Sequence, residues 1–165
     1  MKVILYATIS PNGFIARENG DEDFLPDSGW DAVKKDIAEA GNFIIGHHTY
    51  KLIEPQIFDE INATRVVVSS QPIQVRTGYI VAGSPNEAIE FLTKEGHQTA
   101  LVIGGSGLNS SFMKLGLVDE LHFYVVPHII GTGIPIFAGD FECELEFVSN
   151  EPFAEGFISK YEVGR

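Results

Sequence analysis

One cysteine, Cys143, is all the sequence contains, so neither an internal disulfide nor a Cys-rich zinc site is available, which suits a reducing cytoplasm. Positive charge is scarce too: 11 Lys and Arg stand against 23 Asp and Glu, for a formal net charge of −12. Those cations are scattered, whereas a nucleic-acid groove gathers them against phosphates, so nucleic acid is excluded as a partner. Long apolar runs are missing, and the N-terminal run Val3 to Ala7 soon turns polar. Neither a signal peptide nor a membrane span is expected. No repeat, low-complexity tract or Pro/Gly/Ser-rich linker divides the chain, and 44% of it is hydrophobic. Residues 1–165 are therefore expected to form one globular domain with a substantial core.

What is present centres on Thr99 to Val126. The apolar run Leu101-Val102-Ile103 breaks into Gly104-Gly105-Ser106-Gly107, then a helical pattern, then a second apolar run from Leu121 to Val126. Glycines at a strand end let a ligand approach the backbone, and the following helix aims unpaired N–H groups and its positive dipole end at the same spot. An anion, above all a nucleotide pyrophosphate, suits that position. The usual Gly-x-Gly-x-x-Gly fingerprint is incomplete, because Ser110 stands where its third glycine would be, and no acid follows at the required distance. A standard Rossmann domain is disfavoured.

Elsewhere strands and helices alternate. Val3 to Ala7 reads as a central strand buried on both faces. A polar, acid-rich loop from Arg17 to Asp27 follows, and then a helix with Ser28 as N-cap, Asp31 three residues on, and Trp30, Val33 and Ile37 on one face. Asn42 to Gly46 is a second buried strand, and His47-His48-Thr49-Tyr50 opens a helix with another group of exposed N–H donors. Adjacent histidines on a helix point apart, so no metal site is expected of them. Thr64 to Ser69 and Tyr79 to Val81 are short strands. Ser84-Pro85-Asn86-Glu87 combines a serine cap, an N-terminal proline and a glutamate at the third position. The helix after the glycine turn should bury Leu108, Phe112 and Leu115. The tail differs, since Glu142 to Val148 alternates acidic and apolar residues and Phe153 to Val163 is also strand-like. The expected fold is α/β: a mainly parallel sheet with helices on both faces and an antiparallel C-terminal pair at its edge.

Three motifs in order carry a family resemblance: Gly46-His47-His48-Thr49-Tyr50, Val66 to Pro72, and Val102-Ile103-Gly104-Gly105. Together they resemble dihydrofolate reductase. Gly116-Leu117-Val118-Asp119-Glu120-Leu121 through Pro127 to Phe137 is similar to one branch of that superfamily, the reductase (RibD C-terminal) domain of bacterial riboflavin biosynthesis. Ser10-Pro11-Asn12-Gly13-Phe14-Ile15 also resembles the opening loop of that branch, with asparagine where aspartate is more usual. The resemblance spans essentially the whole chain and implies the three-layer dihydrofolate reductase-like fold.

It also implies a reductase that uses NADPH, with NADH as the alternative. Its pyrophosphate would be held at Gly46, His47, His48 and Thr49 and at Gly104, Gly105, Ser106, Gly107 and Leu108. Ser69 and Ser70 would flank the adenosine ribose and its 2′-phosphate, and the nicotinamide would lie near Ala7, Thr8 and Ile15. His47 stands where dihydrofolate reductases commonly carry arginine, a permanent forked charge better suited to a phosphate.

The implied substrate is pyrimidine- or pteridine-like, with 5-amino-6-(5-phosphoribosylamino)uracil favoured over dihydrofolate. Asp27 and Asp31 are the nearest candidates for a catalytic carboxylate; capping and loop solvation account for them equally well. Trp30 and Lys34 are candidate substrate contacts, with Lys35, Arg17 and Arg76 the other cations available to a phosphate. A nucleotide-binding module without turnover is the alternative of another class. The apolar segments Ile129-Ile130 and Ile134 to Phe137 read as too apolar for a free surface, which predicts a homodimer built partly on them or on the adjacent strand.

Overall fold

The computed structural model describes residues 1–53 and 56–164. Its elements in chain order are β1 (Lys2–Ile9), β2 (Phe14–Ala16), α1 (Ser28–Ala40), β3 (Asn42–Gly46), α2 (His47–Leu52), α3 (Gln56–Asp59), β4 (Thr64–Val68), β5 (Tyr79–Ala82), α4 (Pro85–Lys94), β6 (Thr99–Val102), α5 (Ser106–Lys114), β7 (Glu120–Val125), β8 (Ile134–Pro135), β9 (Leu145–Phe153) and β10 (Gly156–Val163). Eight strands form one sheet in the order β5-β4-β3-β6-β1-β7-β10-β9, while β2 and β8 make a separate two-stranded ribbon. From β5 to β7 every pairing is parallel, and β10 and β9 close the edge antiparallel. This is the expected α/β arrangement.

The parallel strands read as continuous apolar runs because both faces are covered. One face packs Phe43, Ile45, Val67, Tyr6 and Tyr124 against Val33 and Ile37 of α1. The other packs Leu5, Ile44, Val66 and Val102 against Ala88 and Leu92 of α4 and Leu108 and Phe112 of α5. Leu115, expected inward, is 51% exposed, because α5 ends at Lys114 and Leu115 is already its C-cap.

The start of α1 also corrects the sequence reading. Asp27, not Ser28, is the N-cap residue, and its side chain makes no capping bond. The Ser28 hydroxyl is engaged elsewhere, 2.9 Å from the Tyr124 hydroxyl and donating to Glu155 at 2.7 Å. A long-range clasp to the β9–β10 turn has displaced the local cap. Of the segments that suggested a partner, Ile130 and Ile136 are buried within the chain's own core, whereas Ile129 is 69% exposed.

β3 and β6 share a single register pair, Ile44 with Val102. Asn42, fully buried, extends this seam by donating from Nδ2 to the carbonyls of Thr99 (2.7 Å) and Ala40 (2.9 Å) and accepting at Oδ1 from the Leu101 N–H (3.2 Å). At the seam's other end the Gly46 N–H donates to the Gly104 carbonyl at 2.7 Å. Two helix starts are thereby brought side by side above the carboxyl ends of the strands.

Candidate active site

Two cavities open at those strand ends. The inner one, about 180 Å³, is lined by Tyr6, Ala7 and Thr8 of β1, Ile15 of β2, Gly29, Trp30 and Val33 of α1, and Ile103, Gly104, Gly105 and Asn109 at the β6–α5 junction. The outer one, about 850 Å³, runs past Gly46, His47, His48 and Thr49, past Ser69, Ser70 and Gln71 after β4, past Gly83 to Pro85, and past Ser106, Gly107 and Leu108. That volume lies within the range usual for small-molecule and cofactor clefts. Ile15, Glu22, Trp30, Thr49, Ile53 and Gly105 line both cavities, so the two adjoin along one wall.

The glycine turn has the geometry its sequence suggested. Gly104 has φ +109°, a conformation that disfavours side chains, and the Gly104–Gly105 peptide bond is cis. A Cβ on Gly105 would stand 2.7 Å from Thr49 Oγ1, whereas one on Gly107 would meet open space. The turn is thus packed tightly on its inner side and open toward the cleft. Two buried polar atoms here lack a hydrogen-bond partner among the described residues: Ser106 Oγ, on the first residue of α5, and Asn109 Oδ1. Asn109 is 1% exposed and donates from Nδ2 to the Ile136 carbonyl at 3.1 Å, which leaves Oδ1 as a free acceptor on a residue lining the inner cavity. Unpaired N–H groups at the start of α5, a free hydroxyl and open space over Gly107 are the donor set a pyrophosphate needs. The residues fit a dinucleotide.

All the residues the resemblance assigned to cofactor line one cavity or the other: Ala7, Thr8 and Gly104 the inner, Gly46, His47, His48, Ser69, Ser70, Ser106, Gly107 and Leu108 the outer, and Ile15, Thr49 and Gly105 both. Trp30 also lines both. Asp27, Asp31 and Lys34 line neither, and Asp27 and Asp31 are exposed. Nor do the other cations reach the cavities. Arg17 pairs with Asp23, and Arg76 stacks over Tyr50 and Tyr79, 5.1 Å from each ring centroid.

The structure brings two carboxyl groups of the acidic loop to the site: Asp21, which lines the outer cavity, and Glu22, which lines both. Glu22 is exposed to solvent through the open cleft, and partial desolvation of its carboxyl pushes its pKa up to about 7. Tyr6, 3.4 Å from the Thr8 hydroxyl, has its pKa raised by burial. In the outer cleft, His47 is held below its usual value by desolvation and by the neighbouring Lys51 and His48. Periodicity could not have found Glu22, because Asp21-Glu22-Asp23 lies in a loop with no repeating pattern. The cluster of three acids there was the one available signal.

Comparison with known proteins places this architecture. YwjB of Bacillus subtilis is 28% identical over 154 residues, covering 82% of each chain. The riboflavin biosynthesis protein RibD of Corynebacterium ammoniagenes is 40% identical over 63 residues, 38% of this chain and 19% of that one. Among solved structures, a riboflavin biosynthesis protein from Shewanella sp. PV-4 superposes over the whole of both chains with a TM-score of 0.80 at 22% identity. Acinetobacter baumannii RibD gives 0.82 at 18% identity, covering 99% of this chain and 58% of that one. Dihydrofolate reductase from Enterococcus faecalis, complexed with NADP(H), gives 0.79 at 16%, covering 99% and 97%. At such identities the likeness shows the fold, a dihydrofolate reductase-like one. The family is fixed by sequence: the RibD C-terminal domain model matches residues 1–159, and the chain belongs to that family.

Proposed function

We propose that the protein is a nicotinamide-dinucleotide-dependent reductase acting on a pyrimidine- or pteridine-type ring. The observation that carries this reading is the shared wall: a long cleft with the α5 start and the glycine turn on one side adjoins a small, mostly apolar pocket through Ile15, Trp30, Thr49 and Gly105. A dinucleotide in the outer cleft, with NADPH as the first candidate and NADH as the second, would bring its reduced ring to that wall. When bound it supplies the hydride.

The chain's own residues do the rest. The α5 N–H groups and Ser106 Oγ hold the pyrophosphate, and Ser69 and Ser70 flank the ribose. Ala7, Thr8 and Ile15 position the nicotinamide, and Trp30, Val33 and Phe58 give the substrate ring an apolar slot that excludes water. A structural relative from Thermotoga maritima, a deaminase and 5-amino-6-(5-phosphoribosylamino)uracil reductase, superposes with a TM-score of 0.77 at 18% identity over 99% of this chain and 56% of that one. That ring is the favoured substrate. Dihydrofolate is the second reading, supported by the likeness to Enterococcus faecalis dihydrofolate reductase over 97% of that chain.

The protein is also proposed to form a homodimer. Phe141, Phe137, Phe123, Tyr161 and Phe147 make a chain of ring contacts with centroids 5.4 to 6.5 Å apart, ending at the edge strand, where Phe147 is 66% and Leu145 41% exposed. That apolar edge, together with Ile129, 69% exposed, is the surface in need of cover.

The test of the cofactor reading is titration with NADPH and, separately, NADH, followed by emission of Trp30 and by calorimetry. Saturable quenching with matching heats supports it. If neither dinucleotide binds, the reading fails and the glycine turn is a structural connection.

A further inference from the structure

We propose, on the reductase reading above, that Glu22 is the proton donor of this site: its carboxyl delivers a proton to the substrate nitrogen as hydride reaches the adjacent carbon. The placement is selective. Among the described residues lining the cavities, the groups that can ionise are Tyr6 in the inner one, Asp21, His47 and His48 in the outer one, and Glu22 in both. The reacting atoms must meet where the cavities adjoin, and Glu22 is the one ionisable group among the described residues that line both.

The other candidates fail on chemistry or position. Asn109, at the far side of the inner cavity, offers Oδ1 as an acceptor but has no proton to give at neutral pH. Tyr6 is buried, and burial moves its hydroxyl further from donating near neutrality. Glu22 is raised toward neutrality by desolvation, so a large fraction of it is a neutral acid in the range where reductases work. Among the described residues its side chain has no hydrogen bond or ion pair that would hold it ionised; Arg17 is taken by Asp23.

In the step, the C=N π bond opens, the hydride's electron pair forms the C–H bond, and the Glu22 proton forms the N–H bond. The substrate gains two electrons, the nicotinamide loses them, and the Glu22 carboxylate regains a proton from water at the cleft mouth. Asp21 on the same loop and His47 and His48 on α2 are the other titratable groups among the described residues of the outer cleft. A dinucleotide filling the outer cleft removes water from the carboxyl and should raise its pKa further.

The test pairs Glu22→Gln with Glu22→Asp. Carboxyl carbon NMR of the native chain saturated with NADPH, assigned by difference against Glu22→Gln, should show Glu22 titrating above the usual glutamate range and higher than without NADPH. With dihydrofolate and with 5-amino-6-(5-phosphoribosylamino)uracil as probes, Glu22→Gln should cut turnover by about 10² to 10⁴. It should also abolish the fall in rate at rising pH, while Trp30 quenching by NADPH stays as in the native chain. Glu22→Asp should restore part of the rate. A Glu22 carboxyl that titrates in the ordinary range with NADPH bound, or Glu22→Gln at native turnover, overturns the proposal and leaves the reductase reading standing. Absence of dinucleotide binding to the native chain would instead overturn the reductase reading.

Discussion

Replacing Asn42 tests whether the seam between β3 and β6 depends on one side chain. Its amide makes three hydrogen bonds of 2.7 to 3.2 Å. Asn42→Ala leaves the Leu101 N–H and the Thr99 and Ala40 carbonyls to compensate in a site closed to water. Each buried group left unpaired costs about 1–3 kcal/mol, so the loss should be at least about 3 kcal/mol. For a chain of this size that corresponds to roughly 6–12 °C in Tm. Urea unfolding followed by Trp30 emission and by far-ultraviolet circular dichroism measures it directly. Asn42→Asp sharpens the argument, because it keeps the volume and the acceptor for Leu101 while turning a carboxylate toward two carbonyls. Burial and those carbonyls raise its folded pKa above the unfolded value, so this variant should lose stability as pH rises through the folded pKa and recover it in acid. Asn42→Ala within about 0.5 kcal/mol of the native chain would refute the reasoning and make Asn42 a spectator.

Three further outcomes follow from the geometry. The Glu155 carboxyl is held below the usual range chiefly by the Tyr124 hydroxyl, then by Ser28. Its stabilisation is therefore present above its unfolded pKa and lost as pH falls through the folded one, so native and Glu155→Gln melting temperatures should converge in acid. The double variant Asp27→Asn, Asp31→Asn should keep native turnover on both probe substrates, since neither residue lines a cavity; a loss comparable to that of Glu22→Gln would contradict this. Phe147→Ser should shift sedimentation toward the monomer at micromolar concentration, and a native chain that is already monomeric there would remove the homodimer.

Legibility in the sequence followed how local each interaction is. The α4 start was readable because its cap is closed within four residues: Ser84 Oγ accepts from the Glu87 N–H at 3.2 Å, and the Glu87 carboxylate from the Gly83 N–H at 2.8 Å. The same signal at Ser28 misled because Tyr124 and Glu155, 96 and 127 residues away, take its hydroxyl. The cofactor cleft was readable from glycines and serines at strand ends, where backbone geometry writes itself into residue type. Glu22 and Asn109 were not. One sits in a loop without period and the other on a helix turn, and only the folding of both onto the end of β1 makes them neighbours of the same pocket.

The cation-free lining of the cleft also bears on how a ligand arrives. Any phosphate-bearing molecule approaches a protein of formal net charge −12 whose described cavity residues include no lysine or arginine to draw it in. The contacts that hold it are short-range dipoles, while the long-range field opposes the encounter. At about 0.15 M salt that field dies away within about 8 Å. Association should therefore quicken as salt is added, the reverse of electrostatic steering, and the protein would capture its anionic ligand faster in a crowded ionic medium than in dilute buffer.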